Sequence, residues 1–180
     1  MGDAPARGTR GDATQPDSTR RQRIKDLEGL LGLEYEKLAA FEEELALASS
    51  AAVKFEVRQR LKREVLPDIR KHEVEYAGLL AEGADPVLIP AGQAEQAVAE
   101  VLQAVEHLER LPETGHPQEV IRLLNEVKEK LQQPGKSAAA KLKVTLPIIP
   151  LIASYEMELD TEGLLTNAWR GLKRLFGGKA

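Results

Sequence analysis

Two short motifs and a carboxylate run carry residue types that could do chemistry. The tetrapeptide Pro134-Gly135-Lys136-Ser137 imitates the end of a phosphate-binding P-loop, whose backbone amides and lysine cradle phosphates. The full motif needs a glycine five residues before Gly135, where Lys130 stands, and a preceding strand, where the pattern is helical. The match is a coincidence of composition. His72-Glu73-Val74-Glu75 opens like a zinc-protease helix, which needs a second histidine four residues on to share the metal-facing side. That position is Tyr76. His107 and His116 stand on other predicted elements without a partner at ligand spacing, so all three histidines read as solvent-facing or internally bonded. Glu42, Glu43 and Glu44 read as the solvated face of a helix. No serine elbow and no glycine-rich phosphate loop is present. The sequence therefore predicts no catalytic, cofactor-binding or metal-ligating residue, no cofactor, and a protein that is not an enzyme.

Composition narrows the class further. Cysteine is absent, which removes disulfides, thiolate chemistry and Cys-based metal sites. Aromatic residues make up only 4% of the chain, so the core must be built from Leu, Val, Ile and Ala, which favours paired helices over a sandwich or barrel. Charge is uneven. Residues 24–133 carry 13 basic and 22 acidic groups, whereas 1–23 carry five and three, and 134–180 carry seven and four. An acidic middle argues against nucleic acid as a partner and leaves the ends open to anions. There is no secretory apolar region near Met1, and no run reaches the roughly 18 apolar residues of a membrane span. A cytoplasmic location is the expectation.

The elements that must position any binding surface follow from periodicity. Residues 1–17 hold no large aliphatic side chain and are expected to be a disordered tail, the Arg10-Gly11-Asp12 triplet within it being a chance resemblance to an integrin-binding tripeptide. From Ser18 a heptad seam begins, with Ile24, Leu31, Leu38 and Leu45 at one position and Leu27, Phe41 and Ala48 at the other, interrupted by Glu34 beside Tyr35. Ser50 can cap a second helix carrying Val57, Leu61, Val65, Ile69 and Tyr76, with a kink or restart expected at Pro67. So short a connection forces an antiparallel coiled-coil hairpin over 18–81. Residues 82–92 form a linker whose Val87, Leu88 and Ile89 are expected to dock. Residues 93–133 form a second helical hairpin, and 134–140 a small-residue connector.

Residues 141–180 differ from the rest. Leu142, Val144, Leu146 and Ile148 alternate with Lys141, Lys143, Thr145 and Pro147, and alternation resumes through Leu151, Tyr155 and Met157, which predicts a β-hairpin or strand pair interrupted by Pro147 and Pro150. Asp160 is expected to cap an amphipathic helix over 161–176 with Leu164, Leu165, Ala168, Trp169, Leu172, Leu175 and Phe176 opposite Arg170, Lys173 and Arg174. The predicted class is mainly α: a long coiled-coil hairpin, a second helical hairpin, and a C-terminal strand-helix element. Partner-binding candidates are Leu146, Ile148, Ile149, Leu151, Tyr155, Trp169, Leu172 and Phe176 with Arg170, Lys173 and Arg174. Ordinary docking of this element onto the helices competes with an offer of its apolar face to a protein partner, to a second copy, or to a membrane surface.

Two stretches resemble known families. Residues 41–66, FEEELALASSAAVKFEVRQRLKREVL, restart at Lys54-Phe55 after a short polar loop and resemble the coiled-coil segments of bacterial effector-associated modules. The tail LKVTLPIIPLIASYEMELDTEGLLTNAWRGLKRLF resembles a C-terminal segment of proteins linked to signalling NTPases and to caspase-like or TIR-type effectors of bacterial conflict systems. The resemblance covers about a third of the chain and implies an adaptor in bacterial defence or signalling, its effector domain supplied by a separate protein. Residues and resemblance together suggest a non-enzymatic scaffold for protein–protein interaction or self-association. The alternative is a membrane-associating effector acting through the C-terminal element. No nucleic acid or small-molecule substrate is implied.

Overall fold

In the computed structural model, which describes residues 15–111, 115–159 and 163–178, the regular elements are all helical. Helix α1, Gln15–Leu47, is about 50 Å long at 1.5 Å per residue. It begins three residues before Ser18, whose hydroxyl donates to the Gln15 carbonyl instead of capping. The rest of the expected tail, the Arg10-Gly11-Asp12 triplet included, lies outside the described residues. Ser50 accepts from the Val53 amide and caps α2, Ala51–Arg60. Helix α3, Leu66–Gly83, continues the second arm. Cross-arm pairs run Glu28–Tyr76, Tyr35–Glu73 and Glu44–Arg60, numbering falling on one arm as it rises on the other, so the arms are antiparallel.

Between α2 and α3, Leu61–Val65 form a π turn, and the Leu66 amide bonds back five residues to the Leu61 carbonyl. Pro67 explains it. Proline has no amide to donate and its ring crowds the carbonyl four residues earlier, and one wider turn relieves that clash without breaking the arm.

Pro86–Leu88 make a single 3-10 turn capped by Asp85. Against expectation, Val87 and Leu88 point outward, 89% and 80% exposed, and only Ile89 packs on the core. Helices α4, Ala91–Glu109, and α5, Gln118–Gln132, pair through Val101, Val105 and Leu108 against Val120, Leu124, Val127 and Leu131. The P-loop imitation is a helix connector: Gly135 takes φ +81 and Ser137 caps the next helix by accepting from the Ala140 amide.

The expected β-hairpin or strand pair is overturned. Residues 141–159 belong to two short helices, α6, Ala138–Thr145, and α7, Ile149–Glu158, bent by 62° at the Pro147 turn, and no strand occurs among the described residues. The same sequence holds a second period. Leu142, Leu146, Ile149 and Ile152 lie four, three and three apart, and all four are fully buried, so the helical stripe carries the packing. Pro150 sits in the first turn of α7, where a missing amide costs nothing. The final helix, α8, spans Leu164–Gly177, and Gly178 ends it at φ +65, a left-handed cap that favours glycine. The expected cap Asp160 lies outside the described residues. Gly163 holds the cap position, and the side chain that binds the free amides comes from α7.

One apolar cluster joins Leu27, Leu31, Tyr76 and Leu80 of the long hairpin to Val101, Leu124, Leu142, Ile152 and Trp169. Helix α8 lies against α3, α4 and α7. A smaller cluster of Leu38, Leu61, Val65, Leu66 and Ile69 continues along the hairpin. Beyond it, from Phe41 to the Ser50 turn and back, the tip packs mainly on itself.

Candidate functional site

Polar side chains buried between the long hairpin and α8 build the site. Glu73 on α3 is 2% exposed and accepts three hydrogen bonds, from the Tyr35 hydroxyl at 2.7 Å, the Trp169 indole at 2.9 Å and the Lys173 ammonium at 2.6 Å. A buried carboxylate is stable only when so compensated, and Lys173 matches its charge. Lys173 also lies over the Tyr35 and Trp169 rings, 5.5 and 5.6 Å from their centroids. One residue earlier on each arm, the His72 ring meets Glu34 at 2.7 Å. The polar break in the heptad pattern at Glu34 is thus answered from the facing arm, although its second oxygen, buried, finds no hydrogen-bond partner among the described residues.

Above this layer opens a groove of about 610 Å³, floored by Leu31, Gly32, Tyr35 and Tyr76 and walled on the α8 side by Arg170, Lys173 and Arg174. Spacing of three and four residues puts the three cations on one helix face. Arg170 spends its one described side-chain bond on the neutral amide of Asn167, leaving its charge uncancelled by that contact. On the α1 side Glu28 accepts from the Tyr76 hydroxyl at 3.1 Å. Burial pushes both tyrosines well above the usual phenol range, with the Glu73 charge reinforcing it at Tyr35 and the Glu28 charge at Tyr76. Both therefore stay neutral donors at any physiological pH. The groove is an aromatic and aliphatic floor between one carboxylate and a cationic wall, suited to an anionic group beside an apolar one.

The structure divides the predicted binding residues. Leu146, Ile149, Trp169 and Leu172 are core, each no more than 1% exposed. Ile148, Leu151, Tyr155 and Phe176 are half-buried and pack against that core. Tyr155 bonds to His116 Nδ1 at 3.0 Å, and His116 Nε2 donates to the Leu108 carbonyl, which ties the α4–α5 connection to α7. Arg170, Lys173 and Arg174 alone reach the groove. The apolar half of the predicted set therefore holds the molecule together, and of the basic half Arg170 and Arg174 are exposed while Lys173 is spent on the buried Glu73.

Sequence reasoning missed Glu73, Tyr35, Tyr76, Glu28 and Glu156. Glu156, 2% exposed, accepts from the Leu165 and Thr166 amides at 3.0 and 2.9 Å and from the Thr166 hydroxyl, capping α8 from a neighbouring helix. Glutamates in helices ordinarily face water, so only the lone polar break at Glu34 signalled a buried polar layer. No group of three or more potential metal ligands converges among the described residues. The chain matches no protein-family model, no curated protein and no solved structure.

Proposed function

We propose that this protein is a non-enzymatic helical adaptor, and that its groove between α1, α3 and α8 seats an acidic segment of a protein partner. The observation that carries the reading is the one-sided display of Arg170 and Arg174, flanking the Glu73-bound Lys173, over a floor of Tyr35, Tyr76 and Leu31. Guanidinium groups bind carboxylates through paired hydrogen bonds, and aromatic side chains supply contact area at low entropic cost. The segment lies with its carboxylates toward the α8 guanidinium groups and an apolar side chain on the tyrosines. The bacterial signalling setting implied by the family resemblance fits such a role, with a separately encoded effector as the partner.

The membrane reading draws little support from this arrangement. No single described helix is long and apolar enough to cross a membrane. The bent pair α6–α7 passes on composition, but its apolar residues are the core. Selection of peptides from a random display library against the intact protein tests the adaptor reading. Enriched peptides are expected to combine clustered Asp and Glu with an aromatic or leucine. Their affinity should fall at least about tenfold in an Arg170→Glu, Arg174→Glu double variant and weaken with salt. Neutral or basic winners, or winners that bind the double variant equally well, would refute it.

A further inference from the structure

A second depression follows the flank of α8 that faces α4. One part, of about 370 Å³, lies over Ala97 and Gly171, and the next, of about 200 Å³, over Ala104 and Ala168. Glu100 lines both, so they form one trench. Its α4 wall is the exposed row Gln93, Gln96, Glu100 and Gln103, which extends about 15 Å at 1.5 Å per residue. Gly171 leaves the floor open, since a Cβ there would meet no atom within 4 Å. Arg174 lines both this trench and the groove between α1, α3 and α8. At about 100° per residue, Arg174 stands about 60° round the helix from Gly171 on one side and about 100° from Lys173 on the other, so the two depressions meet across it.

The chemistry of the trench differs from that of the groove. Glu100 and Arg174 are the charged residues of its lining and cancel. Among the described residues Gln93 and Gln103 have no side-chain hydrogen-bond partner, and Gln96 donates to Glu100 but keeps its carbonyl oxygen. Asn167, on the α8 wall, accepts from Arg170 and keeps its amide protons. Each carboxamide holds donors and an acceptor, the same pair of groups that a peptide main chain presents. Along one edge of an extended chain those groups recur about every 6.6 Å, and the α4 row advances about 4.5 to 6 Å per step, a difference that a glutamine side chain spans. We infer that the trench binds the main chain of the partner segment in extended form, after the segment crosses α8 at Arg174. The inference rests on the adaptor reading and adds a division of labour to it: the groove selects acidic and apolar side chains, and the neutral trench holds about five further residues through their backbone.

An acidic peptide enriched by display against the full chain serves as the probe. Lengthening it by a run of about five alternating serines and alanines, at its N-terminus in one version and its C-terminus in another, should tighten binding at least about fivefold at one end and leave the other unchanged. N-methylation of the main-chain amides in the productive extension should remove the gain although its side chains are the same. Gly171→Leu fills the open floor and should return the lengthened peptide to the affinity of the short one, with the short peptide unaffected. Leucine is the better helix former, so this variant should melt no lower than the parent. Gln93→Ala with Gln103→Ala, at two exposed positions, should likewise lose most of the gain. No gain from either extension, or a gain that survives Gly171→Leu or N-methylation, would overturn the inference and leave the groove assignment standing. Failure of every acidic peptide to bind would instead remove the groove assignment, and the trench assignment with it.

Discussion

Removing the Glu73 carboxylate takes away the one acceptor shared by Tyr35, Trp169 and Lys173. Glu73→Ala should lose about 3–5 kcal/mol of stability, because it leaves a mostly buried ammonium and two donors unpaired. Glu73→Gln keeps an acceptor oxygen and should lose clearly less. Urea unfolding followed by the fluorescence of Trp169, the sole tryptophan, reads both directly. The two tyrosines give the pH dependence its sign. Their folded pKa values lie above the unfolded value of about 10, so the native state holds protons that the unfolded chain releases, and stability falls as pH rises past that point. Tyr35→Phe and Tyr76→Phe should each flatten that alkaline decline, checked by unfolding at increasing pH alongside tyrosinate absorbance. Little of this was legible beforehand beyond the polar break at Glu34. His72-Glu73-Val74-Glu75 reads only as an incomplete zinc-helix pattern, and the partners that bury Glu73 lie 38, 96 and 100 residues away.

At the scale of elements, α8 shows why a correct amphipathic reading can mislead about function. Its apolar stripe was legible in the sequence, including Trp169 and Leu172, but a stripe says only that a face is buried and not against what. Here α3, α4 and α7 cover it. The helix also starts without a local cap, and Glu156 substitutes from α7. Glu156→Ala should cost about 1–3 kcal/mol and raise hydrogen exchange at the Leu165 and Thr166 amides before it reaches the middle of α8. Uniform exchange along the helix would show that the cap is not the controlling contact. The misread α6–α7 segment teaches the complementary lesson. Over eight residues its side chains satisfy both a period of two and a period near 3.6, and Pro147 and Pro150 fit a broken strand as readily as a helix start. Only the burial of Leu142, Leu146, Ile149 and Ile152 on one side distinguishes them.

For the whole molecule, the continuity of the main apolar cluster from Leu27 to Leu172 means that the C-terminal helices are not an appendage. Ending the chain at residue 140 should expose Val101, Val105 and Leu108 and yield a poorly packed species, detected by dye binding and loss of a cooperative transition. A truncated chain that unfolds as sharply as the full one would contradict this. The base of the hairpin and the body should unfold together, with the tip opening first in hydrogen exchange, since it adds few buried side chains. By itself the sequence determined the helical arms of both hairpins, the cap at Ser50 and the disturbance at Pro67, because these rest on local periodicity and backbone chemistry. Tertiary structure alone decided that the apolar half of the C-terminal segment is core, that its basic half walls a groove, and which buried carboxylates answer which distant donors. Those outcomes depend on elements brought together from opposite ends of the chain, and no local pattern encodes the partner that a helix face meets.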